Sequence, residues 1–174
     1  ILRLALVERF PGTPITVINA GVGGNTSREG LVRLEQDALW HHPRFLLVEF
    51  GNDITPVPGR HVEVEEFAAN LDRIRTRLEA GCRGRLILLT FPPIIDAWHH
   101  LYRHDFFRSN GGQDAYEEHY RDATRKLARI HRLPLIDIDR GLRSSIAEQG
   151  PADYIMKDGV HLTARGNRRV ADLV

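Results

Sequence analysis

Short apolar runs alternate along the chain with longer segments in which apolar residues recur every three or four positions. Residues 45–50 and 86–91 are nearly all apolar, and their length suits strands that are buried on both faces. A β-branched run at residues 15–19 and a shorter run at 135–138 complete the set. The pattern therefore predicts four strands.

Segments with helical spacing separate these runs, and Gly or Pro residues end several of them. The predicted helices are residues 1–10, the segment from Leu31 to Leu39, and residues 63–80, 113–131, 141–149 and 164–174. Alternating strands and helices at this spacing favour crossover connections and a parallel sheet covered on both faces. We find no second-domain boundary and no repeat, so residues 1–174 are expected to form a single domain.

Composition narrows the possible classes of protein. A chain of 174 residues that is 42% hydrophobic can bury a sizeable core. The formal net charge is +1 and the basic residues are scattered, which gives no indication of nucleic acid or an anionic membrane as partner. Cys82 is the only cysteine, which excludes an internal disulfide and a cysteine-based metal site. No apolar run approaches the length of a membrane span.

Two polar motifs follow predicted strands. Gly24 lies in a glycine-rich turn that leads into a helix, and Asn52 follows the strand at residues 45–50. Because the carboxyl ends of parallel strands share one edge, we expect the Gly24 N–H and the Asn52 amide to form an oxyanion hole. Ordinary turns are the alternative for each motif. A dinucleotide site is disfavoured, because the spacing is not Gly-x-Gly-x-x-Gly.

A third motif, Asp158-Gly159-Val160-His161, lies before a helix that Thr163 is predicted to cap. An Asp that holds one ring nitrogen of a His leaves the other nitrogen free to accept a proton from a nucleophile. The alternative is a locally hydrogen-bonded turn without a catalytic role. If His161 is the base, it must be neutral to act, and activity should fall at acid pH.

Together the three motifs resemble those of the SGNH (GDSL) hydrolases, which are flavodoxin-like serine esterases and lipases. Residues 19–27 resemble the glycine block of that family, residues 51–53 its asparagine block, and residues 158–161 its Asp-x-x-His block. The resemblance implies a three-layer α/β/α fold with a flavodoxin-like parallel sheet. It also implies a Ser-His-Asp triad and a Gly/Asn oxyanion hole, with neither a metal nor an organic cofactor. The residues so implied are His161, Asp158, Gly24 and Asn52.

Two features depart from the family pattern. Phe50 stands where the asparagine block, usually Gly-x-Asn-Asp, has its first Gly. The Gly-Asp-Ser block is absent, and no other serine replaces it by motif; those considered are Ser27, Ser109, Ser144 and Ser145. The resemblance therefore implies that the nucleophile and the first central strand lie upstream of Ile1. We expect that residues 1–174 are truncated at the N-terminus and at the C-terminus, and that they do not fold stably alone.

The long aromatic segment after the third predicted strand is expected to shape a substrate pocket. The side chains proposed for its wall are Trp98, Tyr102, Phe106 and Phe107. A surface loop with aromatic anchors is an alternative. His100 and His104, one helical turn apart, also invite interpretation as a metal site, but no third ligand supports it.

The combined hypothesis is a serine hydrolase that cleaves esters of small or medium acyl groups, including those of carbohydrates. An acyltransferase that uses the same residues, with a sugar hydroxyl in place of water, is the nearest alternative enzyme. From a different class, the chain could be an α/β binding domain that lacks the nucleophile.

Overall fold

The computed structural model describes residues 1–174, apart from the side chain of Tyr102. Its strands are β1 (Phe45–Val48), β2 (Arg85–Leu89) and β3 (Leu135–Ile136). Its α-helices are α1 (Leu2–Arg9), α2 (Ser27–Asp37), α3 (Val64–Cys82), α4 (Asp105–Ser109), α5 (Gln113–His131), α6 (Ile138–Gln149) and α7 (Ala164–Leu173). Short 3₁₀ turns cover Leu39–His41, Asp96–Trp98, His100–Arg103 and Pro151–Asp153. None of the described helices is both long and apolar enough to cross a membrane.

The three strands form a parallel sheet in the order β1-β2-β3. Phe45 pairs with Arg85 and Val48 with Leu88, and Leu89 pairs with Ile136 across the next strand boundary. The long connections between them contain α3 and α5, as crossover units require. The predicted α/β class is confirmed. Its consequence for function is that the segments following β1 and β2 leave the sheet at the same edge.

Two groups of buried residues cover the two faces of the sheet. Leu86 and Leu88 of β2 pack into the larger group, together with Phe67, Leu71 and Ile74 of α3. Leu89, the next residue of β2, packs into the smaller group with Leu142 of α6 and Ile155. Neighbouring strand residues thus point to opposite faces, which makes the sheet the middle of three layers.

The predicted strand at residues 15–19 is wrong. This segment has no regular secondary structure, it joins no ladder among the described residues, and most of it is exposed. An extended segment becomes a strand only when a neighbour takes its backbone hydrogen bonds, and its β-branched composition could not supply one. β3 also ends earlier than predicted, because the Asp137 side chain accepts the Arg140 N–H and begins α6 at Ile138.

Candidate active site

The glycine-rich turn is fastened from both sides by arginines. Gly24 has a φ of +81°, a conformation open to glycine and costly for other residues, and its carbonyl oxygen accepts a hydrogen bond from Arg60 at 2.6 Å. Arg33 of α2 donates to the Asn25 side chain at 2.8 Å and to the Ala20 carbonyl at 2.6 Å. The turn is therefore held in place while the Gly24 N–H has no hydrogen-bond partner among the described residues.

A buried carboxylate joins this turn to the loop after β1. Asp53 accepts a hydrogen bond from the Ser27 backbone N–H at 2.9 Å and another from the Ser27 hydroxyl. The Ser27 hydroxyl in turn accepts from Asn70 of α3 at 3.0 Å. Burial raises the pKa of Asp53, and the hydrogen bonds from Ser27 oppose that rise. This contact fixes residue 52 relative to the glycine-rich turn.

Between the turn and the loop lies an open cleft of about 260 Å³. Gly24 and Asn52 both line it, and both are exposed. Glu49 also lines it. The Glu49 side chain is exposed and brings a carboxyl group to the wall of the cleft. The structure thus brings the two predicted oxyanion donors to one cleft.

The Asp158–His161 turn carries the predicted base and its partner. The His161 Nδ1 atom lies 2.8 Å from Asp158 Oδ2, and the other carboxylate oxygen accepts the Val160 and His161 N–H groups, each at 3.0 Å. The backbone bonds, led by that of Val160, lower the pKa of Asp158 to about 2. Asp158 therefore stays ionised at neutral pH. An ionised carboxylate can only accept, which assigns the proton to Nδ1 and leaves Nε2 as the free acceptor.

The remainder of the turn is well ordered by hydrogen bonds. The Met156 N–H donates to the His161 carbonyl at 2.7 Å, and Ile155 forms an antiparallel bridge with Leu162. The Thr163 hydroxyl accepts the Gly166 N–H at 3.0 Å, which confirms the predicted cap of α7.

The two halves of the site are connected through the segment that follows β2. Phe91 lines the cleft, and four residues later the Ile95 N–H donates to the Gly159 carbonyl at 2.8 Å. His161 is not one of the residues that line the cleft. Among the described residues no serine hydroxyl bonds to His161, and Ser27 is fully buried against Asp53. A shared reaction centre for Gly24, Asn52 and His161 stays a prediction.

The aromatic residues proposed for the pocket wall are divided between surface and core. Trp98 is exposed and packs beside Gly159. Phe107 is fully buried and packs edge-on against Phe106, which also contacts Tyr116, so Phe107 has no surface with which to contact a substrate in this conformation. The side chain of Tyr102 lies outside the described residues.

The histidines of the same segment act locally. The His99 ring stacks at 4.4 Å from the His100 ring, and burial, followed by the charge of His100, lowers the pKa of His99. His104 accepts the Phe106 N–H at 3.3 Å. In the part of the chain with described side chains, no group of three or more His, Cys, Asp or Glu residues could hold a metal ion.

Two charged residues that line the cleft were not identified from the sequence. In the sequence, Arg33 looks like any charged residue of a helix, and Glu49 like a residue of the predicted strand. Only the fold places both in the same cleft as Gly24. The contact between Ser27 and Asp53 was not predicted either. Its one signal in the sequence is that each residue closes a recognised motif, but polar residues in turns are common.

Comparison with known proteins gives a family match. The sequence profile of the GDSL-like Lipase/Acylhydrolase family matches residues 3–169, which is nearly the whole chain. Among curated proteins, the uncharacterized lipoprotein YqeF of Bacillus subtilis (strain 168) is 27% identical over 173 residues. That alignment covers 90% of this chain and 70% of the relative.

Solved structures agree with the fold. LAE5, an alpha/beta hydrolase enzyme from the metagenome of Lake Arreo in Spain, superposes with a TM-score of 0.81 at 26% identity, covering 99% of this chain and 76% of that one. Axe2, an acetylxylan esterase from Geobacillus stearothermophilus, gives 0.77 at 21% identity with the same coverage. The lipase/acylhydrolase from Enterococcus faecalis gives 0.76 at 22% identity, covering 99% and 82%.

Proposed function

Because the chain belongs to the GDSL-like lipase/acylhydrolase family, a family of carboxylic ester hydrolases, we propose that it hydrolyses esters through a Ser-His-Asp triad. His161 is the general base and Asp158 its orienting carboxylate. Gly24 and Asn52 supply the oxyanion hole. The acyl group is small or medium in size. The nucleophile is a serine on a segment upstream of Ile1, and we call residues 1–174 with that segment the extended chain.

The observation that carries this proposal is the contact between Asp158 and His161. A carboxylate with a pKa of about 2, placed 2.8 Å from Nδ1, keeps its charge and fixes the imidazole in the tautomer that a base requires. The turn exposes His161 to solvent, so that Nε2 can reach a nucleophile supplied by another segment. A turn that served only stability would not need the ring exposed.

The reaction follows from these roles. His161 Nε2 accepts the serine proton as the serine oxygen bonds to the ester carbonyl carbon, and the resulting oxyanion accepts hydrogen bonds from Gly24 N–H and the Asn52 amide. His161 then gives the proton to the departing alkoxide, which leaves as the alcohol. His161 then takes a proton from a water molecule as the water oxygen bonds to the acyl carbon, and it returns that proton to the serine oxygen as the bond between serine and the acyl group breaks and the acid is released.

The free edge of β1 supports an upstream strand as the source of the serine. β1 pairs with β2 on one side, and on its other side no described strand takes its hydrogen bonds. Residues 15–19 join no strand ladder among the described residues, and Phe45 at the start of β1 is exposed. A strand between them would end at the edge where the cleft lies.

Trp98 favours a sugar ester as substrate. Trp98 is exposed, its Cβ borders Gly159 in the turn that carries Asp158 and His161, and an indole face can stack on a pyranose ring. The structural neighbour named as an acetylxylan esterase supports the same substrate class. We therefore expect acetylated xylo-oligosaccharides to be cleaved with a higher kcat/KM than p-nitrophenyl acetate, and Trp98→Ala to reduce only the former.

The test is an esterase assay on the extended chain with p-nitrophenyl acetate. We expect His161→Ala to reduce kcat by roughly 10³-fold or more. Asn52→Ala should reduce it by roughly 10²- to 10³-fold. His41→Ala, a change of an exposed histidine outside the site, is the matched control and should leave the rate unchanged. A His161→Ala protein with full activity, or a rate that is flat between about pH 5 and 8, would contradict the proposal.

A further inference from the structure

Gly159 is buried, although it lies between Asp158 and His161, the two exposed residues that the proposed mechanism uses. Asp158 and His161 reach solvent, whereas Gly159 is covered by the segment that follows β2. Its carbonyl accepts the Ile95 N–H at 2.8 Å, and its N–H donates to the Met156 carbonyl at 2.9 Å. The turn is therefore attached to the body of the protein at the residue next to Asp158.

The approach at Gly159 leaves no room for a side chain. A Cβ there would lie 2.6 Å from the Ile95 carbonyl oxygen, 3.0 Å from the His99 nitrogen and 3.2 Å from Trp98 Cβ. Two of these neighbours are backbone atoms, which cannot move aside without shifting the segment. Gly159 also has a φ of +79°, which strains any other residue.

The segment Ile94–His99, which we call the bracket, is itself anchored to α5. The Ile94 N–H donates to Asp114 Oδ1 at 2.8 Å, and the Asp114 N–H donates to Asp96 Oδ1 at 2.9 Å. Asp114 pairs at 2.8 Å with Arg121, whose side chain is fully buried and also donates to the Pro92 carbonyl at 2.7 Å. An ion pair so placed resists displacement, because moving Asp114 would remove one of the carboxylates that compensate the fully buried Arg121 charge.

We propose that Gly159 is a positioning residue, and that the bracket sets the place of the Asp158–His161 pair through it. The inference rests on the proposed function and adds to it a residue that determines the position of the base. The bracket begins only three residues after Phe91, which lines the cleft, so the backbone that borders the oxyanion donors also holds the base. Gly159 contributes close backbone contact and no chemistry of its own.

The test is Gly159→Ala in the extended chain, compared with Gly150→Ala. Gly150 has a similar φ of +85°, but a Cβ there has nothing within 4 Å, so it carries the backbone strain without the collision. We expect both to lower the melting temperature. Only Gly159→Ala should reduce kcat, by roughly 10- to 100-fold, with KM changed less than about threefold. Its ¹⁵N spectrum should also show loss of the Nδ1–H tautomer of the His161 ring, which Gly150→Ala should retain.

If Gly159→Ala does not fold, Ile95→Pro takes its place, because it removes the N–H that bonds to Gly159 and leaves the turn sequence intact. Equal loss of kcat in the Gly159 and Gly150 variants, or a wild-type ring signal and kcat in Gly159→Ala, would overturn the inference. A failure of this inference can be distinguished from a failure of the proposed function. His161→Ala tests that function by activity, whereas the ring signal reports positioning whether or not an ester is cleaved.

Discussion

Ser27 shows how one side chain can join two motifs that are distant in sequence, since its partner Asp53 lies 26 residues away. It is fully buried, donates its hydroxyl to Asp53, and accepts from Asn70 at 3.0 Å. Asp53 is buried too, and its carboxylate finds its described hydrogen bonds on Ser27. The relative position of Gly24 and Asn52 therefore depends on a residue that cannot itself contact a substrate.

Ser27→Ala should lower the free energy of unfolding by about 1.5–3 kcal/mol, because it leaves a buried carboxyl with fewer donors. Ser144→Ala changes an exposed serine in α6 and should stay within about 0.5 kcal/mol of wild type. Urea unfolding of both variants of the extended chain measures the difference. A Ser27→Ala protein as stable as the Ser144→Ala protein would show that the contact contributes nothing to stability.

At the scale of elements, α2 packs against the residues that follow β1, where Gly30 faces the aromatic ring of Phe50. Gly30 is buried in α2, and a Cβ there would overlap the ring of Phe50. Phe50 also lines the cleft, so it fills the space between the helix and the loop that carries Asn52. The absence of a side chain at residue 30 of the facing helix is what makes room for the Phe50 ring.

Gly30→Ala should therefore destabilise the protein by about 1–3 kcal/mol, although alanine normally favours a helix. Gly81→Ala is the control, since a Cβ at Gly81 of α3 meets its nearest atom at 3.9 Å and should stabilise the protein by up to about 1 kcal/mol. In a Phe50→Leu background the cost of Gly30→Ala should shrink. Calorimetry on Gly30→Ala, Gly81→Ala, Phe50→Leu and the Gly30→Ala/Phe50→Leu double variant measures the coupling free energy between residues 30 and 50. A Gly30→Ala protein more stable than wild type would contradict the predicted collision with Phe50.

The same scale shows how far the sequence predicted the fold. α5 was predicted with its observed bounds, and α3 within two residues, because both have a regular apolar face and a definite stop. The strands β1 and β2 were found because continuous apolar runs of that length do not suit core helices. The strand predicted at residues 15–19 was wrong, because strand formation depends on a neighbouring strand that local composition does not reveal.

In the site, the motifs predicted Gly24, Asn52, Asp158 and His161. They did not predict Arg33 or Glu49, which reach the cleft only through packing.

For the whole molecule, the sheet of the described residues is open along the outer edge of β1. The sheet there ends in a strand whose Phe45 is exposed, and α1 has no buried residue. Apolar side chains along α1 and the following segment are exposed as well: Leu4, Val7, Phe10, Val17 and Ile18. An open strand edge is a site for pairing with another strand, and exposed apolar side chains are available to pack against it.

The proposed upstream strand would cover that surface, and its contribution can be estimated. Three to five inward apolar residues, at about 1.5–3 kcal/mol each, contribute roughly 5–15 kcal/mol, which is comparable to the total stability of a domain. We therefore expect the extended chain to melt in one cooperative transition, and residues 1–174 alone to show none by circular dichroism at 222 nm. Replacing the proposed serine by alanine in the extended chain controls for the nucleophile, and should abolish activity without altering the transition. A cooperative transition for residues 1–174 with the same midpoint as the extended chain would show that β1 needs no further partner, and the serine would then have to be sought elsewhere.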